Sequence, residues 1–149
     1  MIVDAQPTIV KVLGIDPGKT TGWCLGVVSL KERKVLKITM GKVPIETFST
    51  WLSSYKDCEW IAVEDFILRD GKKTEFLNQG WHQLETAKLV GRVEQFCFEH
   101  GIKCRVAQPA EKPYGYKLAQ LPYIPGKKRM DAFDAAAHFY NLIRRVYQI

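Results

Sequence analysis

The chain has little of what marks secreted, membrane or zinc-binding proteins. No apolar run approaches the roughly 20 residues needed to span a bilayer, and the first seven residues lack the basic start and apolar core of a secretory signal. Cysteine is scarce and forms no Cys-x-x-Cys pair, so we expect reduced structural thiols rather than zinc ligands or disulfides. The cysteines are Cys24, Cys58, Cys97 and Cys104. These absences predict a cytoplasmic protein without membrane association.

What the chain does have is enough apolar sequence for one core, together with an excess of positive charge. It has 149 residues, of which 46% are hydrophobic and 26% charged, and this composition predicts one globular domain over residues 1–149. The formal net charge is +6. A basic surface favours a polyanionic partner such as nucleic acid.

Hydrophobic patterning predicts an α/β fold with a five-stranded mixed sheet flanked by helices. Three alternating segments predict an antiparallel meander, and two short apolar segments predict further strands beside it. The strands are expected at 9–15, 22–28, 34–40, 60–63 and 103–107. The helices are expected at 44–55, 81–100 and 131–147. Residues 65–80 and 109–126 are polar or rich in glycine and proline, so we expect them to be irregular.

Acidic residues end two of the predicted strands and begin the last helix. A parallel pair of strands would bring Asp16 and Glu64 side by side, and a spacing of three places Asp131 and Asp134 on one helical face. Carboxylates this close raise each other's pKa unless a cation lies among them. The four acids therefore predict a site for two Mg²⁺ ions, with Mn²⁺ expected to substitute. One ion would activate water and the other would stabilise a leaving 3′ oxygen.

Each acid also has an ordinary explanation when taken alone. Asp131 could cap its helix, Asp16 could belong to a turn, and Glu64 could form a salt bridge at a strand end. Asp65 competes with Glu64, because adjacent strand residues point to opposite faces. The joint occurrence of all three motifs favours the metal site.

The motifs and the order of the elements resemble the RNase H-like superfamily and, within it, RuvC-type Holliday-junction resolvases. The segment 14–18, Gly-Ile-Asp-Pro-Gly, followed by Thr-Gly at 21–22, is similar to the first acidic motif of these enzymes. Glu64 after Ala-Val, and Asp131 with Asp134, are similar to the second and third motifs. The resemblance extends from about residue 10 to residue 143.

This resemblance implies an activity, cofactors and partners. It implies that Asp16, Glu64, Asp131 and Asp134 are the catalytic, metal-binding residues of a Mg²⁺-dependent endonuclease. The substrate would be a Holliday junction or other branched DNA, cut by paired nicks in the cytoplasm of a bacterium or phage-infected cell. Because a four-way junction is nearly two-fold symmetric, a homodimer is expected. The apolar residues of the helix at 81–100 would form its interface or, alternatively, pack in the core.

Basic and aromatic residues near the acids are candidates for DNA contact. Two clusters flank the second and third motifs, although such runs are commonly solvated surface. They comprise Arg69, Lys72, Lys73, Lys127, Lys128 and Arg129. Lys112 and Lys117 lie where RuvC-type enzymes carry lysines, but the glycine-rich segment of the family is replaced here by Tyr-Gly-Tyr-Lys at 114–117.

Two further residues are ambiguous on sequence. Phe66 occupies a position where the family often carries an aromatic that stacks on unpaired bases, although a core phenylalanine is the preferred interpretation. His138, one turn after Asp134, could orient a carboxylate or water, although a packed histidine is preferred.

Three other functions fit parts of the sequence. One is a catalytically inactive protein that binds branched DNA, and a second is an RNase H-like nuclease acting on structured RNA. A fragment of a sugar-kinase or actin-like phosphotransferase is disfavoured, because that fold needs two such domains. The Asp-Pro-Gly start and the Asp-x-x-Asp helix favour the resolvase.

Overall fold

The structure is a computed structural model that describes residues 7–65, 73–122 and 131–149, without the side chains of 73–84. The strands are β1 (Ile9–Asp16), β2 (Thr20–Ser29), β3 (Lys34–Pro44), β4 (Trp60–Glu64) and β5 (Lys103–Ala107). The α-helices are α1 (Phe48–Leu52), α2 (Lys73–His100), α3 (Lys112–Ala119) and α4 (Asp131–Tyr147). Short 3-10 turns lie at Ile45–Thr47, Ser53–Tyr55 and Pro109–Glu111.

The strands form one mixed sheet in the order β3-β2-β1-β4-β5. The first three pair as an antiparallel meander, whereas β4 runs parallel to both β1 and β5. The predicted five-stranded mixed sheet is therefore confirmed. Because β1 and β4 run in parallel at its centre, both end at the same edge of the sheet.

Alternation along β1 divides the core between the two faces of the sheet. Leu13 and Ile15 pack on one face with Leu89 of α2, whereas Val12 packs on the other face with Phe139 of α4. The four cysteines are free thiols, and three of them, Cys24, Cys58 and Cys97, are buried in these two cores.

Helix α4 approaches the sheet with its main chain almost against the strands. A Cβ atom added at Gly14 would lie 2.3 Å from the carbonyl oxygen of Ala135, and one added at Gly22 would lie 2.2 Å from that of Asp131. Real Cβ atoms do not come this close to another main chain, so only glycine fits at these two positions. The first turns of α4 are thereby held directly over the ends of β1 and β2.

Helix α2 begins at Lys73, so the expectation of an irregular segment is wrong for residues 73–80. Most of these residues are good or acceptable helix formers, and one internal glycine costs only about 1 kcal/mol. The glycine and polar residues therefore concealed two turns of helix. The C-terminal end is as predicted, since α2 stops at His100 and Gly101 adopts φ +67°.

The expectation of an irregular connection over 109–126 is also wrong for its first part. A 3-10 turn at Pro109–Glu111 leads directly into α3. Pro109 and Pro113 lie in the first positions of the turn and of the helix, where a missing N–H costs no hydrogen bond. These prolines begin helical structure rather than prevent it. Residues 123–126 lie outside the described part of the chain.

The apolar residues of α2 proposed for a dimer interface pack inside the protein instead. Leu89, Val90 and Val93 are buried in the core between α2 and the sheet, and Phe96 packs against that core. The alternative of core packing is thus confirmed for them, while the side chain of Leu84 is outside the described residues. No helix in the described ranges is both long and apolar enough to cross a membrane.

Two helical glycines provide a matched test of the packing around α3. A Cβ at Gly115 would lie 2.3 Å from the carbonyl oxygen of Ala137, whereas one at Gly91 would meet nothing within 4 Å. We expect Gly91→Ala to raise the free energy of unfolding by about 0.5–1 kcal/mol, because alanine is the better helix former. We expect Gly115→Ala to lower it by about 1–3 kcal/mol through overpacking. Urea unfolding of both variants measures this, and equal stabilisation by both would contradict the packing of α3 on α4.

Candidate metal centre

Two carboxylates meet where the central parallel strands end. Val12 pairs with Trp60 and Gly14 with Ala62, and continuing this register places Asp16 beside Glu64, about 4.8 Å away between strands. Both side chains point toward α4, and they share a hydrogen bond. The predicted neighbourhood of Asp16 and Glu64 is therefore present in the structure.

Helix α4 adds a third carboxylate, that of Asp134. This residue is 8% exposed, and its charge acts on Asp16. The hydroxyl of Tyr116, a fully buried residue of α3, donates a hydrogen bond of 2.5 Å to Asp134 Oδ1. This hydrogen bond from α3 holds the carboxylate of Asp134 in one orientation.

A lysine ammonium lies among these acids. Lys112 Nζ is 3.0 Å from Glu64 Oε1 and 3.6 Å from Asp134 Oδ2, and the same charge attracts Asp16. The side chain of Lys112 is only 14% exposed. The prediction that a lysine of this segment lies near the acids thus holds for Lys112 in the described part of the chain.

His138 orients Glu64. Its Nε2 atom lies 2.9 Å from Glu64 Oε1, and the ring is fully buried. An ionised carboxylate only accepts hydrogen bonds, so Nε2 carries the proton and donates it. Nδ1 is buried without a hydrogen-bond partner among the described residues. The preferred interpretation of a merely packed histidine is wrong, although its position one turn after Asp134 was the available signal.

The two strand-end acids respond in opposite ways to this environment. Burial, and then repulsion by Glu64, raise the pKa of Asp16 far above its usual range. Burial acts in the same direction on Glu64, but hydrogen bonds from His138 and Asp16 and the charge of Lys112 lower its pKa. From these opposite shifts we infer that the pair holds one proton at neutral pH, with the carboxyl of Asp16 as its favoured carrier.

The main chain at Lys112 is anchored by the preceding residue. The carboxylate of Glu111 forms ion pairs with Arg105 of β5 and, at 3.1 Å, with Arg145 of α4. Its carbonyl oxygen accepts a hydrogen bond of 2.7 Å from Asn141 Nδ2. These contacts tie the start of α3 to both β5 and α4, so the position from which Lys112 extends is fixed.

The main chain of Asp131 lies next to this cluster. It is the first residue of α4 and half-buried, and its backbone packs on Gly22, which pairs with Asp16. The structure thus brings Asp16, Glu64 and Asp134 together and places the backbone of Asp131 nearby. The participation of Asp131 in a shared metal site remains a prediction.

The donor chemistry of this cluster fits a hard divalent cation. Carboxylate oxygens are the protein ligands that Mg²⁺ prefers, and the ammonium of Lys112 already places a positive charge between two of them. As the side chains stand, however, no three acidic, histidine or cysteine residues in the described ranges are arranged as a metal site. The cluster would have to rearrange for an ion to bind.

The other residues predicted to contact DNA lie outside the acidic cluster or outside the described part of the chain. Lys117 is an exposed residue of α3, five residues after Lys112. Of Lys73, only the backbone at the start of α2 is described. Outside the described residues lie Phe66, Arg69, Lys72, Lys127, Lys128 and Arg129.

One basic residue was missed by the sequence analysis. Lys42 of β3 pairs with Gly22, which pairs in turn with Asp16, so the three share one row of the sheet. The side chain of Lys42 is exposed and projects from the face that α4 covers, about 10 Å from Asp16. The strand was expected to end at residue 40, so sequence alone did not connect Lys42 with the site.

Comparison with solved structures identifies the fold. RuvC from T. thermophilus, solved with a Holliday-junction substrate, matches with a TM-score of 0.50 and 19% identity over 91% of this chain and 95% of that one. At this identity the likeness establishes a RuvC-like, RNase H-like fold and nothing about activity. No protein-family model matches the chain, and no curated protein matches it either.

Two other structures are more distant. A Ppx/GppA family member from Aquifex aeolicus matches with a TM-score of 0.37 and 17% identity, covering 74% of this chain and 39% of that one. Endonuclease V from Ciona intestinalis, bound to a 24-mer DNA containing an inosine followed by a ribo-adenosine, matches with a TM-score of 0.34 and 14% identity. That match covers 94% of this chain and 56% of the endonuclease.

The crowding of acids predicts that removing one carboxylate stabilises the metal-free protein. In Asp16→Asn the amide still donates to Glu64, and the buried repulsion is lost. We expect the free energy of unfolding in chelator to rise by about 1–3 kcal/mol at pH 8. Urea unfolding from pH 5 to pH 8 measures this.

The sign of the pH dependence follows from the raised pKa of Asp16. The native protein keeps a proton that the unfolded chain releases above pH 3.8, the ordinary pKa of an aspartate, because the pKa of Asp16 is raised to about 10. The stability that this group contributes is therefore lost as the pH rises from 3.8 to about 10. The advantage of Asp16→Asn should therefore grow from pH 5 to pH 8. Asp65→Asn, just past the end of β4, is the control, and a destabilised Asp16→Asn would contradict the shared-proton arrangement.

Proposed function

We propose that this chain is a metal-dependent endonuclease that nicks branched DNA, with a four-way junction as its substrate. The observation that carries the proposal is the convergence of Asp16, Glu64 and Asp134 around a cationic side chain at one edge of the sheet. The RuvC-like fold supports it, because T. thermophilus RuvC was solved with a Holliday junction. The excess of positive charge fits a phosphate-rich partner.

In this proposal Asp16, Glu64, Asp131 and Asp134 hold two Mg²⁺ ions. When bound, such ions activate a water and stabilise the leaving oxygen of a phosphodiester. The neighbouring residues keep the carboxylates in place, since His138 fixes Glu64 and Tyr116 fixes Asp134.

The DNA backbone would approach the edge of the sheet where these acids lie. Lys42 shares the row of Asp16 and faces the same side, so it is suited to a phosphate next to the one that is cut. We propose that the basic clusters at 69–73 and 127–129, next in sequence to Glu64 and Asp131, add phosphate contacts. A homodimer, with one site in each subunit, would match the symmetry of a junction.

A specific observation favours a second candidate, a branched-DNA-binding protein that does not cut. In the described residues no three ligands are arranged to hold a metal ion, and Lys112 already balances the acids. The two candidates separate in one experiment. The purified protein is incubated with a four-way junction, a linear duplex and a flap, each with Mg²⁺, Mn²⁺ or chelator. Cutting of the junction that requires metal supports the nuclease, whereas binding without cutting under every condition supports the binder.

The metal assignment predicts that loss of one acid abolishes cutting but not binding. We expect Asp16→Asn and Glu64→Gln each to reduce junction cleavage by at least about a thousandfold, because each removes a metal ligand. Junction affinity in chelator should be equal or higher, since a negative charge near phosphate is lost. Gel cleavage and gel-shift assays measure the two effects. Substantial Mg²⁺-dependent cleavage by Asp16→Asn would contradict the assignment.

The proposed DNA path predicts different roles for two lysines of β3. Lys42 faces the α4 side, whereas Lys37, which pairs with Val27, faces the other, and both are exposed. We expect Lys42→Gln to reduce the slope of log affinity against log salt by about one, the effect of one lost phosphate contact. Lys37→Gln should leave the slope unchanged. Equal slopes for the two variants would contradict a DNA path along the face of the sheet that α4 covers.

A further inference from the structure

We infer that Lys112 is a built-in counter-ion that competes with the metal for the carboxylates, and that a DNA phosphate draws it away. Metal binding and DNA binding would then assist each other through the movement of one side chain. The inference rests on the proposed function, since it assigns a regulation to the same site.

The first support is the place that Lys112 occupies. Its ammonium lies 3.0 Å from Glu64 Oε1 and 3.6 Å from Asp134 Oδ2, and Asp16 is close enough to feel its charge. A Mg²⁺ ion needs carboxylate oxygens at about 2.0–2.1 Å. An ion bound to Glu64 and Asp134 would therefore lie within a few ångströms of the ammonium, and two cations in so small a volume repel each other.

The second support is that the main chain of Lys112 is anchored while its side chain is free to rotate. The main chain at residue 112 is tied down through Glu111, which pairs with Arg105 and Arg145 and accepts a hydrogen bond from Asn141. The lysine stem, in contrast, has four flexible carbons. The ammonium can leave the acids by rotation of its own side chain while α3 stays docked, and its residual 14% exposure opens toward solvent.

The third support is the free-energy cost of separating the Lys112 ammonium from its carboxylate partners. A buried ammonium that loses its carboxylates needs another anion or water. A phosphate bound at the same edge of the sheet supplies that anion. Without DNA, metal binding displaces the ammonium of Lys112 into solvent. With DNA, the displaced ammonium gains a phosphate as its new partner. The free energies of the two binding events are thereby linked, and linkage is reciprocal.

The test measures metal binding rather than activity. Mn²⁺ and Ca²⁺ are titrated calorimetrically into wild type, Lys112→Met and Lys117→Met, first alone and then with saturating four-way junction, using Ca²⁺ for the DNA-bound series to limit cutting. Lys117→Met is the matched control, because it removes the same charge from an exposed position of the same helix. Melting temperature in chelator shows that every variant is folded.

The expected results separate the variants by affinity and by coupling. Without DNA, Lys112→Met should bind metal at least about tenfold more tightly than wild type, and Lys117→Met should match wild type. DNA should tighten metal binding more in wild type than in Lys112→Met, because the variant has no ammonium to relocate. Lys112→Arg keeps the positive charge, so it should bind metal as weakly as wild type. If Lys112→Arg binds metal as tightly as Lys112→Met, the change of side chain rather than the loss of charge explains the result.

Two outcomes would overturn the inference. One is equal metal affinity for Lys112→Met and Lys117→Met, and the other is weaker metal binding by Lys112→Met, which would make the lysine a supporting residue. The proposed function fails separately. If wild type binds metal and junction but never cuts, only the nuclease proposal falls, and the difference between the two lysine variants still decides the role of Lys112.

Discussion

The close approach of α4 to the first two strands is the constraint on which the site depends. A side chain at Gly14 or Gly22 would strike the main chain of α4, and the helix would have to move outward by more than an ångström. Asp134 would then be withdrawn from Asp16, and His138 from Glu64. Packing and chemistry thus share one cause, since the glycines that let the helix lie against the sheet also set how far its acids reach.

Electrostatics at the strand ends follows from that packing. Three carboxylates are brought into a space that water barely reaches, so their charges cannot all be solvated. Two positive contributions offset this repulsion: the ammonium of Lys112, and the one proton that the raised pKa of Asp16 leads us to infer on the Asp16–Glu64 pair. Both can be replaced by one divalent ion. The metal-free arrangement is therefore best understood as a neutralised form of a site suited to stronger cations.

Sequence predicted what local patterns encode and missed what distant segments share. Alternation and i, i+3 spacing were sufficient for the strands, for α4 and for the row of Asp16 and Glu64. Neither pattern connects Glu64 with Lys112 or His138, which lie 48 and 74 residues further along the chain. The first turns of α2 and the whole of α3 were missed because glycine and proline were interpreted as breaks, although at a helix start proline is compatible with helix.

The acidic cluster is complete only while helix α3 is docked on α4. Lys112 forms ion pairs with Glu64 and Asp134, and Tyr116, one turn later, donates a hydrogen bond to Asp134, so one short helix holds two of the acids. Eight residues cannot remain helical alone, and α3 persists only while Gly115 lies against α4. Undocking of this segment would release these contacts at once. Hydrogen exchange at the amides of α3 should therefore report on the assembly of the whole site as a single cooperative unit.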